Sequence, residues 1–345
     1  MKRIILFNFE SDQNSQALAF ALDWVNEIAK NVDKLYVISL RCGDYSVNDN
    51  VEVHCIGQNK KNKLQTIFTI WKILKQIHNK DKNIHGYFVH MAHYFVPLIY
   101  PFAKFYNQKI VLWYAHKAVT FSLKVADFFT NVAVASTLLG YQVNSNKLKV
   151  IGQGIDTEKF NLNSVSRERF KNCVVVGRIS KIKNIDYIIK VFVSLQREDI
   201  FLYIVGDALS SSDITYFKDI KESIPLKFKD NIIFKGSIPF EDLPELYCDM
   251  DLAINLSDTG SLDKAIIEPM SMGIPVITSN DSAKEIFPHL DGEGVYLLDN
   301  KEELKEELKD VLESDRSIDK EALREEIVQK HSLENLAKKI VGEFK

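Results

Sequence analysis

Residues 251–280 read DLAINLSDTGSLDKAIIEPMSMGIPVITSN, and their pattern decides the fold. Leu252–Leu256 is a short apolar run with the length of a buried strand. Ser257, Asp258, Thr259, Gly260 and Ser261 follow, all turn or helix-cap formers. Asp263–Met272 has helical character, Gly273 ends it, and Ile274–Thr278 reads as the next buried strand. Strand, polar loop, helix, strand is one parallel βαβ unit, whose ligand crevice lies outside the carboxyl end of the strand. A helix starting there turns unpaired N–H groups and a partial positive charge towards the crevice, an arrangement that suits a phosphate. Glu268 lies between one and two turns further in, and a carboxylate can accept two sugar hydroxyls. Together these features suit a ligand carrying both groups, such as a nucleotide sugar.

Working outward, TGSLDKAIIEPMSMGIPVIT resembles the donor-site signature of the retaining GT-B glycosyltransferases of the family often called GT4. That signature usually reads E-G-F-G-x-x-x-x-E-A-M-A-x-G-x-P-V. Glu268, Met270, Gly273, Pro275 and Val276 fall in register. Gly260 takes the place of the first glutamate, followed by Ser261, Leu262 and Asp263; a T-G-S-L-D-K variant marks a subgroup of the same family. The resemblance implies that Thr259, Gly260, Ser261, Leu262, Asp263 and Lys264 bind the donor and that Glu268 holds the ribose. Asp263 and Lys264 are candidates to replace part of the missing glutamate.

Three further segments carry the likeness. GRISKIKNID, from Gly177, resembles G-R-L-x-x-x-K-G, with Gly177, Arg178 and Lys183 in register and Asn184 in place of the second glycine. An arginine and a lysine in a strand-to-helix loop can neutralise a diphosphate leaving group. GSIPFEDLPELY resembles the loop around the nucleobase, where Ser237, Ile238 and Pro239 can offer backbone groups and an apolar face, and Glu241 and Asp242 read as helix N-terminal charges. KVIGQGIDTEKF resembles V-I-x-x-G-[VI]-D-x-x-x-F, which closes the first domain of the family. VLWYAHK resembles the segment whose histidine contacts the transferred sugar, which makes His116 the candidate for that role; without the resemblance a histidine at a strand end is structural.

The whole chain is compatible with this reading. Its 345 residues suffice for two domains, and 46% hydrophobic with 26% charged residues is the balance of a soluble globular protein. Cys42, Cys55, Cys173 and Cys248 lack CxxC spacing, so reduced thiols in a cytosolic protein are expected. MKRIILFNFESD has too short an apolar run for a signal peptide, and no uncharged run has the length of a membrane span. The net charge of −3 divides into +7 over residues 1–160 and −10 over 161–345. The two halves therefore meet different partners. Nucleic acid is not expected among them, for there is no recognition motif or basic-aromatic array.

In chain order, Arg3–Phe9, Leu35–Leu40, Val51–Ile56, Gly86–His93, Ile110–His116, Asn131–Ala135 and Lys149–Ile151 read as strands of the first domain, and Ala17–Ala29 as a helix. No GxGxxG lies in Asn8–Ser15, which argues against a dehydrogenase. Glu10 and Ser11 there, with His93, are candidates for the acceptor side; a polar turn is the plain alternative. Lys63–His78 reads as an amphipathic helix within a stretch holding seven lysines between Lys60 and Lys82 against the single acid Asp81. Such a helix, with Trp71, suits an anionic membrane surface and equally suits a domain helix with a solvated lysine face. Pro97 and Pro101 should interrupt any long helix in Tyr94–Tyr106. His90, His93 and His116 have no nearby carboxylate or cysteine to complete a metal site, and the Asp249-Met-Asp251 triplet lies where a helix ends and a buried strand begins. No metal or cofactor is expected. The polar stretch 161–170 is the expected interdomain linker.

The fold class expected is α/β: a GT-B arrangement with two Rossmann-like domains facing across a cleft, spanning 1–160 and 161–330, and a C-terminal helix, 331–345, returning to the first. The function implied is retaining transfer of a sugar from a UDP- or GDP-sugar to a hydroxyl of a glycan or lipid-linked acceptor, in the cytoplasm or at the inner face of the membrane. An epimerase or phosphorylase of the same fold, or a non-catalytic partner subunit, are the rival readings. Gly260 in place of glutamate favours the last, and Arg178, Lys183 and Glu268 oppose it.

Overall fold

The computed structural model describes residues 2–15, 18–57, 62–162, 170–313 and 318–344. It divides into two compact units, residues 1–154 with 332–345, and residues 155–331. This division precedes the stretch expected as linker, of which residues 163–169 lie outside the described residues.

The first unit runs β1 (Arg3–Ser11), α1 (Ala21–Ala29), β2 (Lys34–Cys42), β3 (Val51–Cys55), α2 (Lys63–Lys80), β4 (Gly86–His90), α3 (Val96–Phe105), β5 (Lys109–Trp113), α4 (Phe121–Phe129), β6 (Val132–Ala135) and β7 (Leu148–Val150). All paired strands are parallel, in the order β3-β2-β1-β4-β5-β6-β7. Central strands such as Gly86–His90 are buried along their whole length, which is why they read as continuous apolar runs without alternation. On one face Ile70, Leu74 and Ile77 of α2, Val96 and Ile99 of α3, and Leu123 and Ala126 of α4 pack with Ile5, Phe7, Tyr87 and Leu112. On the other, α1 buries Trp24, Val25 and Ile28.

Two local expectations fail here. α3 forms as a ten-residue helix with Pro101 inside it. Pro97 sits in its first turn, where a missing N–H costs nothing, and Val96, Ile99 and Ala103 bury its inner face. Cys42 and Cys55 are joined in a disulfide and are not separate thiols. The Cα atoms of Cys42 and Cys55 lie 6.0 Å apart at the ends of β2 and β3, and no spacing along the chain reveals that.

The second unit runs β8 (Asn172–Val176), α5 (Ile185–Ser194), β9 (Phe201–Val205), α6 (Ser211–Ser223), β10 (Ile232–Gly236), α7 (Leu243–Cys248), β11 (Leu252–Asn255), α8 (Lys264–Ser271), β12 (Val276–Thr278), α9 (Asp281–Ile286), β13 (Val295–Leu297), α10 (Leu304–Glu313) and α11 (Lys320–His331). Its parallel sheet has the order β10-β9-β8-β11-β12-β13. From β8 the chain winds outward one way and from β11 the other, so the loops after these two neighbours flank the switch point where doubly wound sheets bind ligands. The last helix, α12 (Leu333–Gly342), belongs to the first unit, where Leu336, Ala337, Ile340 and the following Phe344 are buried in the same core as Trp24.

Candidate active site

The loop after β8 begins at Gly177, with φ +144°, in a conformation that glycine adopts without strain. Gly206, at the end of β9, packs so closely on it that a Cβ would lie 2.0 Å from the Gly177 carbonyl oxygen. Arg178 is exposed, and its guanidinium makes no hydrogen bond or ion pair among the described residues. The loop ends on Asn184, left-handed at φ +52°, which explains how asparagine stands where the resembled family has glycine. Its side chain also joins loops: Nδ2 donates to the Leu256 carbonyl (2.8 Å), and Oδ1 accepts from Lys301 Nζ (3.0 Å).

Opposite, the loop after β11 is organised around Asp263. Its carboxylate pairs with Lys183 Nζ and accepts from Ser257 Oγ (2.5 Å), Asn255 Nδ2 (3.1 Å) and Thr259 Oγ1 (3.2 Å). Burial alone would raise its pKa; the Lys183 ammonium and the Ser257 and Asn255 bonds outweigh that and hold it below the ordinary value. The buried Asn280 donates to the carbonyls of Ser257 (3.2 Å) and Ser261 (3.1 Å), pinning the loop from beneath. Asp263 is the residue before α8 but does not cap it with its side chain.

Glu268 lies five residues into α8, 2% exposed, with no hydrogen bond or ion pair among the described residues. Burial pushes its carboxyl up to about 7, against the lowering pull of Lys264 and Lys159 and with a push from Asp263. The Lys159 and Lys264 ammonium groups lie 4.7 and 5.9 Å from the centre of the Phe240 ring, and Lys159 pairs with Glu241 at 3.0 Å. Tyr247, whose hydroxyl is buried without a partner, also feels the Glu268 charge. Phe240 follows the Ser237–Pro239 segment, whose start is fixed by the Ser237 N–H donating to Asp207 Oδ2 (3.2 Å).

The structure therefore joins Gly177 and Lys183 to the Thr259–Lys264 loop through Asp263, with Arg178 next to Gly177 in the chain and Glu268 one turn into the helix that Asp263 precedes. It changes several individual roles. Lys183 is held by Asp263 and does not stand alone as a cation, while Glu241 and Asp242 lie in the first turn of the short helix that leads into α7, as expected, and Glu241 also pairs with Lys159. Leu262 is fully buried in the core with Ile266 and Met270, so it offers a ligand no side chain. Asp251 accepts from the Lys171 and Asn172 N–H groups (2.9 and 2.8 Å) at the amino end of β11, away from the site. Lys159, Phe240, Asn255, Tyr247 and Asn280 have no role in the sequence reading, and Ser257 reads there only as a turn or cap former, because nothing in spacing links Lys159 to Glu268 or Asn255 to Asp263.

The candidates of the first unit cluster at the carboxyl ends of β1, β4 and β5. His116 is exposed, with Nδ1 accepting from the Ala118 N–H (3.0 Å); its sugar-contacting role rests on the resemblance alone. His93 is buried, with Nε2 3.0 Å from Ser122 Oγ, and burial holds its pKa below the usual histidine value. Glu10 is engaged by Ser15 Oγ (2.7 Å) and Arg41 (3.3 Å). Ser11 is a correction: β1 extends through it, and its fully buried hydroxyl bonds Ser39 Oγ at 2.7 Å, so it faces no acceptor.

A family model described as "Glycosyl transferases group 1" matches residues 155–330. An uncharacterized glycosyltransferase of Methanocaldococcus jannaschii is 28% identical over 217 residues, covering 58% of this chain and 53% of its own. The chain spans roughly a third to a half of the length of the curated relatives it matches. Among solved structures, Anabaena HepE in complex with UDP and glucose has a TM-score of 0.74 at 15% identity, over 99% of both chains. The sucrose-phosphate synthase of Thermosynechococcus elongatus has 0.78 at 14% identity, over 100% of this chain and 98% of its own. The fold is GT-B, with two Rossmann-like α/β units.

Proposed function

This chain belongs to the glycosyl transferases group 1, and from that premise we propose that it moves a sugar from a nucleoside-diphosphate sugar to an acceptor hydroxyl with retained anomeric configuration. The observation that carries the reading is Glu268: a carboxylate 2% exposed and without a hydrogen-bond partner among the described residues, on the helix whose start holds Lys183. A buried, unsatisfied carboxylate is costly, and a pair of ribose hydroxyls would satisfy it. The diphosphate then lies towards Gly177, Arg178 and the start of α8. The complex of Anabaena HepE with UDP supports a uridine donor, with GDP as the alternative.

As the bond from the anomeric carbon to the β-phosphate oxygen breaks, its electron pair leaves on the diphosphate. The acceptor oxygen forms the new bond on the same face and gives up its proton to the departing phosphate. Charge builds on the leaving group, and Arg178 with the α8 N-terminus stabilises it there. Lys183 contributes through its fixed position: Asp263, itself held by three neutral donors, keeps the ammonium beside Gly177. These cations take the part of a metal, and activity is expected to persist in chelator. The acceptor is a glycan or lipid-linked hydroxyl, as in cell-surface polysaccharide synthesis.

Calorimetric titration with UDP, GDP and UMP tests the reading. One diphosphate should bind, the monophosphate at least about tenfold more weakly, and Arg178→Ala should remove that difference. Binding of none of them to the unaltered protein would overturn the proposal, and product analysis with a nucleotide sugar would separate transfer from epimerisation.

A further inference from the structure

The helices α2, α3 and α4 cover the same face of the first sheet, with α3 touching both others. Their outward sides are unusual for a solvated surface. Leu64 and Phe68 of α2 are 66% and 67% exposed, Phe105 at the end of α3 is 80%, and Phe121 and Phe128 of α4 are 83% and 75%. Trp71, half out, is fixed by its indole N–H donating to the Leu98 carbonyl (3.0 Å), which ties α2 to α3. Exposed lysines share these sides: Lys72 and Lys75 on α2, Lys104 on α3 and Lys124 on α4. The spacing is helical on each element, as Leu64, Phe68, Trp71, Lys72 and Lys75 form one stripe, and Phe121, Lys124 and Phe128 another.

Among the described residues α2, α3 and α4 carry no unpaired carboxylate, and Glu52 pairs with Lys80 at the end of α2. The only acids between residues 62 and 130 are Asp81 and Asp127. Asp81 is buried, paired with Arg3 at 2.8 Å and accepting from Tyr36, and Asp127 accepts from the Tyr141 hydroxyl (2.7 Å). A second copy seated here would oppose lysine to lysine. An anionic bilayer instead takes both components, phenyl rings into the acyl boundary and ammonium groups among the phosphates. No helix among the described residues is long and apolar enough to cross a membrane, so contact in the plane of the interface is the geometry available.

We propose that the outer face of α2, α3 and α4 docks on a bilayer rich in anionic phospholipid. Lys60 and Lys61, counted in the lysine-rich stretch of the sequence, lie outside the described residues. The inference does not rest on the transfer reaction, because none of these side chains is among the candidate site residues.

The test is co-sedimentation of the full chain with phosphatidylcholine vesicles, with and without phosphatidylglycerol. Binding should require phosphatidylglycerol. It should fall at least about tenfold in Phe121→Ser/Phe128→Ser and in Lys72→Glu/Lys75→Glu, while Leu226→Ser on the other unit leaves it unchanged. All five side chains are exposed, so an unaltered urea midpoint verifies folding. Failure of the unaltered protein to sediment with phosphatidylglycerol vesicles overturns the proposal, and so does undiminished binding of the phenylalanine variant. A concentration-dependent dimer that the phenylalanine substitutions abolish, without vesicle binding, would assign the face to a second copy.

Discussion

Asp263 and Glu268 are carboxylates five positions apart with opposite electrostatic settings. Asp263 has a counter-ion and three neutral donors, and its pKa falls; Glu268 has burial and no direct partner, and its pKa rises to about 7. The two consequences are separable. A carboxyl raised in the folded state stabilises it fully below the unfolded value near 4.5, and that contribution is lost as pH climbs through about 7. Glu268→Gln removes the penalty: the variant should match the parent near about pH 5 and exceed it by about 1–3 kcal/mol near about pH 8 in urea unfolding. Its affinity for UDP should drop at least about tenfold, and the parent's should increase with pH through about 7, as calorimetry would read. Asp263→Asn should act the other way, costing about 3 kcal/mol by stranding the Lys183 ammonium. A double-mutant cycle with Lys183→Met should return a coupling above about 1 kcal/mol; additivity would mean that the pair does not position Lys183.

At the scale of elements, the site is a set of strand-to-helix loops stitched to one another. The Gly177 N–H donates to the Val205 carbonyl (2.9 Å), the Gly206 N–H to Gly236 (2.8 Å), and the Ile179 N–H to Asp207 (3.0 Å). Gly206→Ala forces a methyl 2.0 Å from a carbonyl oxygen at φ +131°, and the loop carrying Arg178 must move. A loss of more than about 2 kcal/mol, together with weakened UDP binding, is expected. Gly236→Ala is the control: φ is +69° and nothing lies within 4 Å of the new methyl, so about 1 kcal/mol should be lost with little effect on UDP. Equal effects of the two substitutions would refute the argument from close approach.

Over the whole molecule, the second unit is one continuous segment and the first is not. Truncation after His331 removes Leu333, Leu336, Ile340, Val341 and Phe344 from the core that also holds Ile4, Leu6 and Trp24. At roughly 1.5–3 kcal/mol per buried side chain, that loss rivals the 5–15 kcal/mol that holds a typical domain together. The truncated chain should lose the cooperative unfolding of its first unit, while residues 155–331 expressed alone should unfold cooperatively and bind UDP. Circular dichroism during thermal unfolding and calorimetry on the fragment would check both.

Most of the order of elements is legible in the sequence, because a strand buried on both faces needs a continuous apolar run and a βα loop needs its caps and glycines. Arg178, Lys183 and Glu268 are legible through the resemblance of their segments to the GT4 signatures, and the loop and helix positions only make that reading physically reasonable. Pairing between distant segments was decided only in three dimensions. The tertiary approach of the ends of β2 and β3 brings Cys55 to Cys42, loop closure at the switch point gives Lys183 its Asp263, and burial by a remote turn brings Lys159 towards Glu268. Local patterns state what each segment can form. Which side chains satisfy one another's charge depends on distances that exist only once the sheet is assembled.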